Sequence, residues 1–418
     1  MLQSKQKPFE IRFDRIVLAY KMVRANKGSH GVDDISLEAY EENLQGNLYK
    51  LWNRMSSGSY FPQAVRRVEI DKKEGGKRPL GIPTIADRVA QSLVKQELEI
   101  LVEPIFHEDS FGYRPRRSAI DAVGRARQRC WKFDWVLDID IQSFFEDIPH
   151  DLLMKAVRKH TNCKWHLLYI ERWLKMPVQQ LDGSLQQKEK GTPQGAVISP
   201  VLANLFLHYC FDEWMRRNIS HCPFERYADD CVIHCQTEKQ AQWVRGQLEK
   251  RFAQCGLTLH PVKTKIVDCR TTAGSRCSRY QEFDFLGYTF RKRKAVTKAG
   301  RYFTSYLPAV SKKSIRSIQG QVKECRHLST ASGTLRLIAN ELNPKIRGWF
   351  NSYGRFYPSE LKLKLQCINR ALTLWAKRKF KRFRKNSWAA LGWIKAIATF
   401  NPTLFEHWRL GVPVTVRQ

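Results

Sequence analysis

Two adjacent carboxylates, Asp229 and Asp230, sit in the stretch FERYADDCVIHC between two short apolar runs. Neighbouring strand residues point to opposite faces and paired carboxylates repel, so such a pair gains from a bound cation. Taken alone, Asp-Asp is more often a solvated turn. A second acidic element changes that balance. WVLDIDIQSFFEDIPH closes an apolar strand with acid, at Asp138 or Asp140, which alternate on one face, and follows it with the aromatic pair Phe144 and Phe145. Two strands that each deliver acid at their ends can meet in one sheet and hold two Mg²⁺ about 4 Å apart, an arrangement that activates a hydroxyl and neutralises a leaving pyrophosphate. That is the chemistry of a polymerase palm. One aromatic ring would lie beneath the incoming sugar, clash with a 2′-hydroxyl and so select deoxynucleotides; the other belongs in the core.

The elements that must carry these residues can be read from periodicity. Residues 1–60 read as helices broken at Asn26–Gly31, with Ile16, Val17, Tyr20 and Val23 on one side. VRRVEIDKKEGGKRPLGIP reads as a basic hairpin turning at Gly75-Gly76. Helices follow at 86–105 and 119–130, then the strand Trp135–Ile141, helices within 150–175, and a turn at Leu181-Asp182-Gly183. A Gly-Thr-Pro-Gln-Gly loop opens a helix from Pro200 to about Arg217. The hairpin around Asp229-Asp230, a helix at 237–255, strands at 257–269 and 283–290, and mainly helices from Ser311 complete the series.

At 418 residues and 43% hydrophobic, the chain can bury the cores of two or three packed subdomains. Neither a membrane-spanning run nor a secretory leader is present, so a cytoplasmic, nucleoid-associated protein is expected, with no membrane partner. The cysteines lack a CxxC pair and read as reduced packing residues. The formal charge of +32 points to a polyanion, and it is unevenly spread. From Phe285 onward there are 28 Lys or Arg against four Glu, a net +24 that leaves +8 for the rest. Leu361–Phe405 carries eleven basic residues and no acid, interleaved with Trp375, Phe380, Phe383, Trp388 and Trp393. Phosphate contact with aromatic packing suits RNA paired with DNA, or a folded RNA; the tryptophans themselves read as core residues.

The order and wording of these motifs resemble the reverse transcriptases encoded by bacterial group II introns, also called maturases. NKGSHGVDDISLEAY looks like that family's N-terminal extension, and KRPLGIPTIADRVAQ with FGYRPRRSAIDAV like its fingers motifs. DIDIQSFFEDIPHD, GTPQGAVISPVLANLFLH, RYADDCVI, LTLHPVKTKIV and FDFLGYTF follow in the family's order, and NPKIRGWFNSYGRF resembles its thumb, or maturase, domain. The resemblance selects Asp140 over Asp138. It implies an α+β right-hand polymerase: an N-terminal extension over 1–60, fingers over 61–133, a palm of antiparallel sheet and helices over 134–290, and a helical thumb/maturase domain over 291–418.

The same resemblance implies a metal set of Asp140, Ile141, Asp229 and Asp230 holding two Mg²⁺, with Mn²⁺ as substitute, and Lys263 as an acid for the leaving pyrophosphate. Arg66, Lys77, Arg78 and Arg88 are expected on the triphosphate, Gln194 and Gly195 against the templating pair, and Ala228 as a small residue that admits the nucleotide beside Phe144 and Phe145. Nucleic-acid contacts are expected from Arg291, Lys292, Arg293, Lys294, Arg347, Lys377, Arg378, Lys379, Lys381, Arg382 and Arg384. The implied reaction is transfer of dNMP from a dNTP to a DNA primer on an RNA template, with binding and splicing of intron RNA in support of mobility. No HNH-type nuclease is expected, since only His407 and no cysteine follows Leu391. The competing readings are an RNA-binding splicing cofactor, and a domesticated relative serving DNA repair or phage defence.

Overall fold

The computed structural model describes residues 7–71, 77–271, 280–296, 299–330 and 333–415. The expected turn at Gly75-Gly76 lies outside them. Among the described residues there are eleven strands: β1 Val65–Asp71, β2 Lys77–Ile82, β3 Trp135–Ile139, β4 Val178–Gln179, β5 Leu185–Gln186, β6 Phe224–Tyr227, β7 Asp230–Cys235, β8 Lys265–Asp268, β9 Phe283–Phe285, β10 Tyr288–Val296 and β11 Tyr302–Val310. They form three sheets, ordered β2-β1-β4-β5, β6-β7-β3-β8 and β11-β10-β9, with helices between and after them, an α+β architecture.

The chain divides into two compact units. The first comprises Met1–Ala122, Leu137–Cys235 and Lys239–Lys265. Its helix Ile85–Val102 starts where Thr84 accepts a hydrogen bond from the Asp87 amide and donates its own hydroxyl to the Asp87 carboxylate, satisfying two groups at a helix end. Val89, Leu93, Val94, Leu98 and Val102 line its buried side, and Phe13–Asn26 packs along it through Ile16, Tyr20 and Val23. Each such fully buried aliphatic contributes about 1.5–3 kcal/mol. The helix expected over 200–217 is present but not uniform. Ser199–Leu207 passes through a π-helical turn, His208–Asp212, before Glu213–Asn218, and this wider turn carries the buried Asp212.

The second unit comprises Val123–Val136, Gln236–Glu238 and Ile266–Gln418. Its core gathers Ile338, Ile346, Leu365, Leu372 and Trp375 from helices Leu335–Tyr353 and Pro358–Lys379. Two strand expectations need correction. The run 257–269 is not one strand: Leu259 bridges Ile141, residues 261–263 turn, and only Lys265–Asp268 is extended. The run 283–290 is a hairpin, because Leu286 and Gly287 take φ values of 51° and 81°, both left-handed as a two-residue type I′ turn requires. The segment expected to be helical from 291 therefore begins with the β10–β11 ribbon, and helices start at Lys312.

Among the described residues ten cysteines are unbridged, eight of them buried, in keeping with packing roles. No described helix is long and apolar enough to cross a membrane.

Candidate active site

Tyr227 pairs with Asp230, which leaves Ala228 and Asp229 as the two central residues of the β6–β7 turn. Ala228 has φ 58°, the value a type II′ hairpin turn requires at its first central position and one usually given to glycine. Asp229 is half-buried at the tip and Asp230 is exposed at the start of β7. Since β7 lies next to β3 in the sheet, Asp140 follows the end of the adjoining strand. The backbone of Asp140 is fixed from the opposite side: His260 N–H donates to its carbonyl at 2.8 Å, and Gln142 N–H donates to Thr258 O at 2.9 Å. Ile141 is buried and bridges Leu259, so it can offer a ligand only through its carbonyl.

Burial first, and then the Asp140 charge, push the Asp229 carboxyl above the usual carboxylate range, while its own backbone amide and the Arg78 and Arg226 guanidinium groups oppose that rise. Asp138, within β3, adds a small push to the buried Cys231 thiol of β7, which burial raises first. Lys263, in the 261–263 turn, places its Nζ 3.5 Å from Asp140 Oδ2, a partly exposed pair of modest strength. Among the described residues no three His, Cys, Asp or Glu side chains converge at metal-ligand spacing. Carboxylates that repel have no reason to close on one point without a cation. The donor set is all carboxylate oxygen, with a peptide carbonyl beside it, which fits a hard divalent ion such as Mg²⁺ or Mn²⁺.

Around these acids, three backbone segments are laced together. Gly81 N–H of β2 donates to Gln194 O at 2.6 Å, and Thr192 N–H donates to Phe145 O at 2.7 Å. Gly195 has φ 109°, and a Cβ there would meet Gly81 O at 2.6 Å, so the loop approaches β2 closely only because it lacks a side chain. Phe144 is buried and Phe145 half-buried, which separates the core ring from the ring available to a ligand. Arg78 is exposed on β2 and its charge reaches Asp229. Arg66 and Lys77 pair with Asp34 at 2.8 Å and Glu69 at 2.9 Å.

Arg88 must be reassigned. Its guanidinium is buried and donates to the carbonyls of Pro83, Lys27 and Ser29, holding the loop after the first helix instead of facing a nucleotide. In the second unit, Arg293 is likewise buried against Glu360 and the carbonyls of Leu307 and Thr289. Arg378 and Lys379 donate to Leu328 O and Gly333 O, and Lys377 to Ser387 Oγ at 2.7 Å. Lys294, Arg347, Lys381, Arg382 and Arg384 are exposed, as is Arg291 beside Glu360, and Lys292 is half-buried. Trp375 is core as expected; Trp388 is not, being 69% exposed.

Two residues escaped the sequence reading. Tyr113, at φ 56°, lies with its ring 6.3 Å from Tyr227, and burial, then the Asp229 charge, raises its phenol. Arg226, the residue before the turn, is almost wholly buried on β6. The sequence signal for it is weak: Phe224-Glu225-Arg226-Tyr227 places two charges in a short strand, and each needs a partner if buried.

A family model described as reverse transcriptase (RNA-dependent DNA polymerase) matches residues 70–290, and one described as the group II intron maturase-specific domain matches 315–391. The chain is 34% identical over 299 residues to Protein YkfC of Escherichia coli (strain K12), covering 59% of this chain and 75% of that protein. It is 33% identical over 210 residues to the group II intron-encoded protein LtrA of Lactococcus lactis subsp. cremoris, covering 47% of this chain and 33% of that protein. A telomerase structure from Candida albicans aligns with a TM-score of 0.48 at 13% identity, over 90% of this chain and 67% of that one.

Proposed function

The chain belongs to the reverse transcriptase (RNA-dependent DNA polymerase) family, and from that premise we propose that its first unit transfers dNMP from a dNTP to the 3′-hydroxyl of a DNA primer on an RNA template. The observation that carries this reading is the placement of Asp140 just after β3 and of Asp229 in the turn before β7, at neighbouring strands of one sheet. Asp140 and Asp229, with Asp230 and the Ile141 carbonyl beside them, would hold two Mg²⁺. When bound, these ions activate the primer hydroxyl and neutralise the leaving pyrophosphate.

The protein's own groups do the rest. Arg78 and Lys77 on β2 draw in the triphosphate, and Arg66 follows if it leaves Asp34. Gln194 and Gly195, tied to β2, form the surface under the templating pair. Phe145 supports the sugar and excludes a 2′-hydroxyl, with Ala228 leaving room for the nucleotide. Lys263 stands by Asp140 to protonate the pyrophosphate. In domain terms, residues 61–133 act as fingers behind the 1–60 extension, 134–290 as palm and 291–418 as thumb.

A second role is favoured by the maturase-specific match over 315–391 and by the exposed Lys381, Arg382 and Arg384: binding of intron RNA in support of splicing. The test supplies purified protein with an RNA template, DNA primer, dNTPs and Mg²⁺, and repeats it with Asp229→Ala. Extension by the wild type alone, with RNA binding retained by both, supports the polymerase reading. Normal extension by D229A removes it, and tight RNA binding with splicing but no extension by the wild type leaves the second role as the principal one.

A further inference from the structure

Arginine has five N–H donors, and a guanidinium sealed from water must find an acceptor for each. Arg226 does. Its Nε donates to Asp212 Oδ1 at 2.7 Å, and its Nη2 to Asp212 Oδ2 at 2.6 Å and Ser110 Oγ at 2.8 Å. Its Nη1 donates to Asn204 Oδ1 at 3.0 Å and to the Ala228 carbonyl at 3.1 Å. The Arg226 and Asp212 side chains are 1% and 0% exposed. Four segments end on this one group: the π-helical turn, the helix before it, the strand-like segment 109–111 beside β6, and the catalytic turn.

Three of the four acceptor residues offer side chains; the fourth offers the peptide that joins Ala228 to Asp229. Holding that carbonyl fixes the plane from which Asp229 departs, in a turn whose first residue is already left-handed. The segment alongside is locked to the same place. Asn204 Nδ2 donates to Gly112 O at 2.6 Å, and a Cβ on Gly112 would come 2.4 Å from Ala228 N. We infer that Arg226, anchored by Asp212, is a positioning residue that aims the Ala228–Asp229 turn so that Asp229 presents its carboxylate to the cation shared with Asp140. The inference rests on the polymerase reading of that turn.

An ion pair that only fills space can be exchanged for apolar groups without functional loss, since a buried pair is often replaceable by hydrophobic residues of similar volume. A pair that holds the Ala228 carbonyl cannot. The decisive variant is therefore the double substitution Arg226→Met with Asp212→Leu, measured beside R226K, S110A, N204A and D229A. Four quantities are read: thermal melting, primer–template binding, Mn²⁺ binding by electron paramagnetic resonance without nucleotide, and the rate of single-nucleotide incorporation.

The double variant should melt within a few degrees of the wild type and bind duplex normally. It should bind Mn²⁺ about tenfold more weakly and incorporate about 100-fold more slowly, in the range seen when a catalytic group loses its aim. R226K keeps the charge but not the fork and should fall between. Wild-type Mn²⁺ affinity and rate in the folded double variant overturn the inference. If that variant does not fold, S110A and N204A decide: parallel losses in Mn²⁺ affinity and rate support the role, and wild-type values in both overturn it. The D229A control keeps the two readings apart. A dead D229A with a normal double variant removes only the role of Arg226, whereas a normal D229A removes the polymerase site first and this inference with it.

Discussion

At the scale of single residues, Phe144 and Phe145 are the sharpest pair, because adjacent rings have opposite fates. Phe144 is 2% exposed, so Phe144→Ala should cost about 3–5 kcal/mol of stability. Its preference for dNTP over rNTP should stay near that of the wild type. Phe145→Ala should melt near the wild type but lose roughly 100-fold in the ratio of kcat/KM for dTTP over UTP, as an opened sugar pocket would. Denaturant melts and competitive incorporation check both, and loss of selectivity in the Phe144 variant alone would reverse the assignment. Sequence made the carboxylates legible because Asp229-Asp230 interrupts two apolar runs and Asp140 ends another. It could not show that Arg88 and Arg293 are spent on buried carbonyls and Glu360, since an arginine that binds phosphate and one that binds backbone look identical in one dimension. Arg226 was hidden for the same reason: its acceptors Ser110, Asn204 and Asp212 are scattered over more than a hundred residues.

At the scale of elements, the close approach of the 191–195 loop to β2 makes a testable joint. Gly195→Ala forces a Cβ to 2.6 Å from Gly81 O and an L-residue into φ 109°. The expected result is a KM for dNTP raised about tenfold or more as β2 and Arg78 are pushed aside, with primer–template affinity little changed. Steady-state kinetics beside a filter-binding assay separate these, and an unaltered KM would show that the joint does not set the nucleotide site. A second joint is titratable. His407 shares Asn369 Oδ1 with Trp408 Nε1, each at 2.8 Å, and burial pushes the His407 imidazole down to about 3. The unfolded chain takes up this proton below about pH 6.5 while the folded chain does not. Its contribution is therefore full above that value and is lost as pH falls toward 3, about 2 kcal/mol by pH 5. Urea melts at pH 7 and 5 should show a loss of that size that His407→Leu removes; an equal loss in the variant would assign the pH dependence elsewhere. Long periodic helices and the β1–β2 and β6–β7 hairpins were readable from pattern. The β9–β10 turn was not, because the aromatic residues of Phe283–Phe290 continue on both sides of Leu286-Gly287 and its left-handed backbone leaves no trace in hydropathy.

At the scale of the whole molecule, a formal charge of +32 makes affinity for nucleic acid salt-dependent, but only exposed cations release counterions on binding. Replacing Lys381, Arg382 and Arg384 together by Ala should lower the slope of log K against log salt by about 2–3, whereas Arg293→Ala, which removes a guanidinium buried against Glu360, should leave the slope nearly unchanged in the folded variant. Equal slopes for the two variants would show that surface exposure does not mark the binding face. The central claim, that the acids ending β3 and turning β6 into β7 form one catalytic centre, concerns fewer atoms and admits a more direct test. Single-nucleotide incorporation on an RNA template should be measured for D140A, D229A and D138A, each shown to fold and to bind primer–template. D140A and D229A should each fall by about three orders of magnitude or more, and D138A by no more than a few-fold. A D138A enzyme that is dead while D140A stays active would contradict the account.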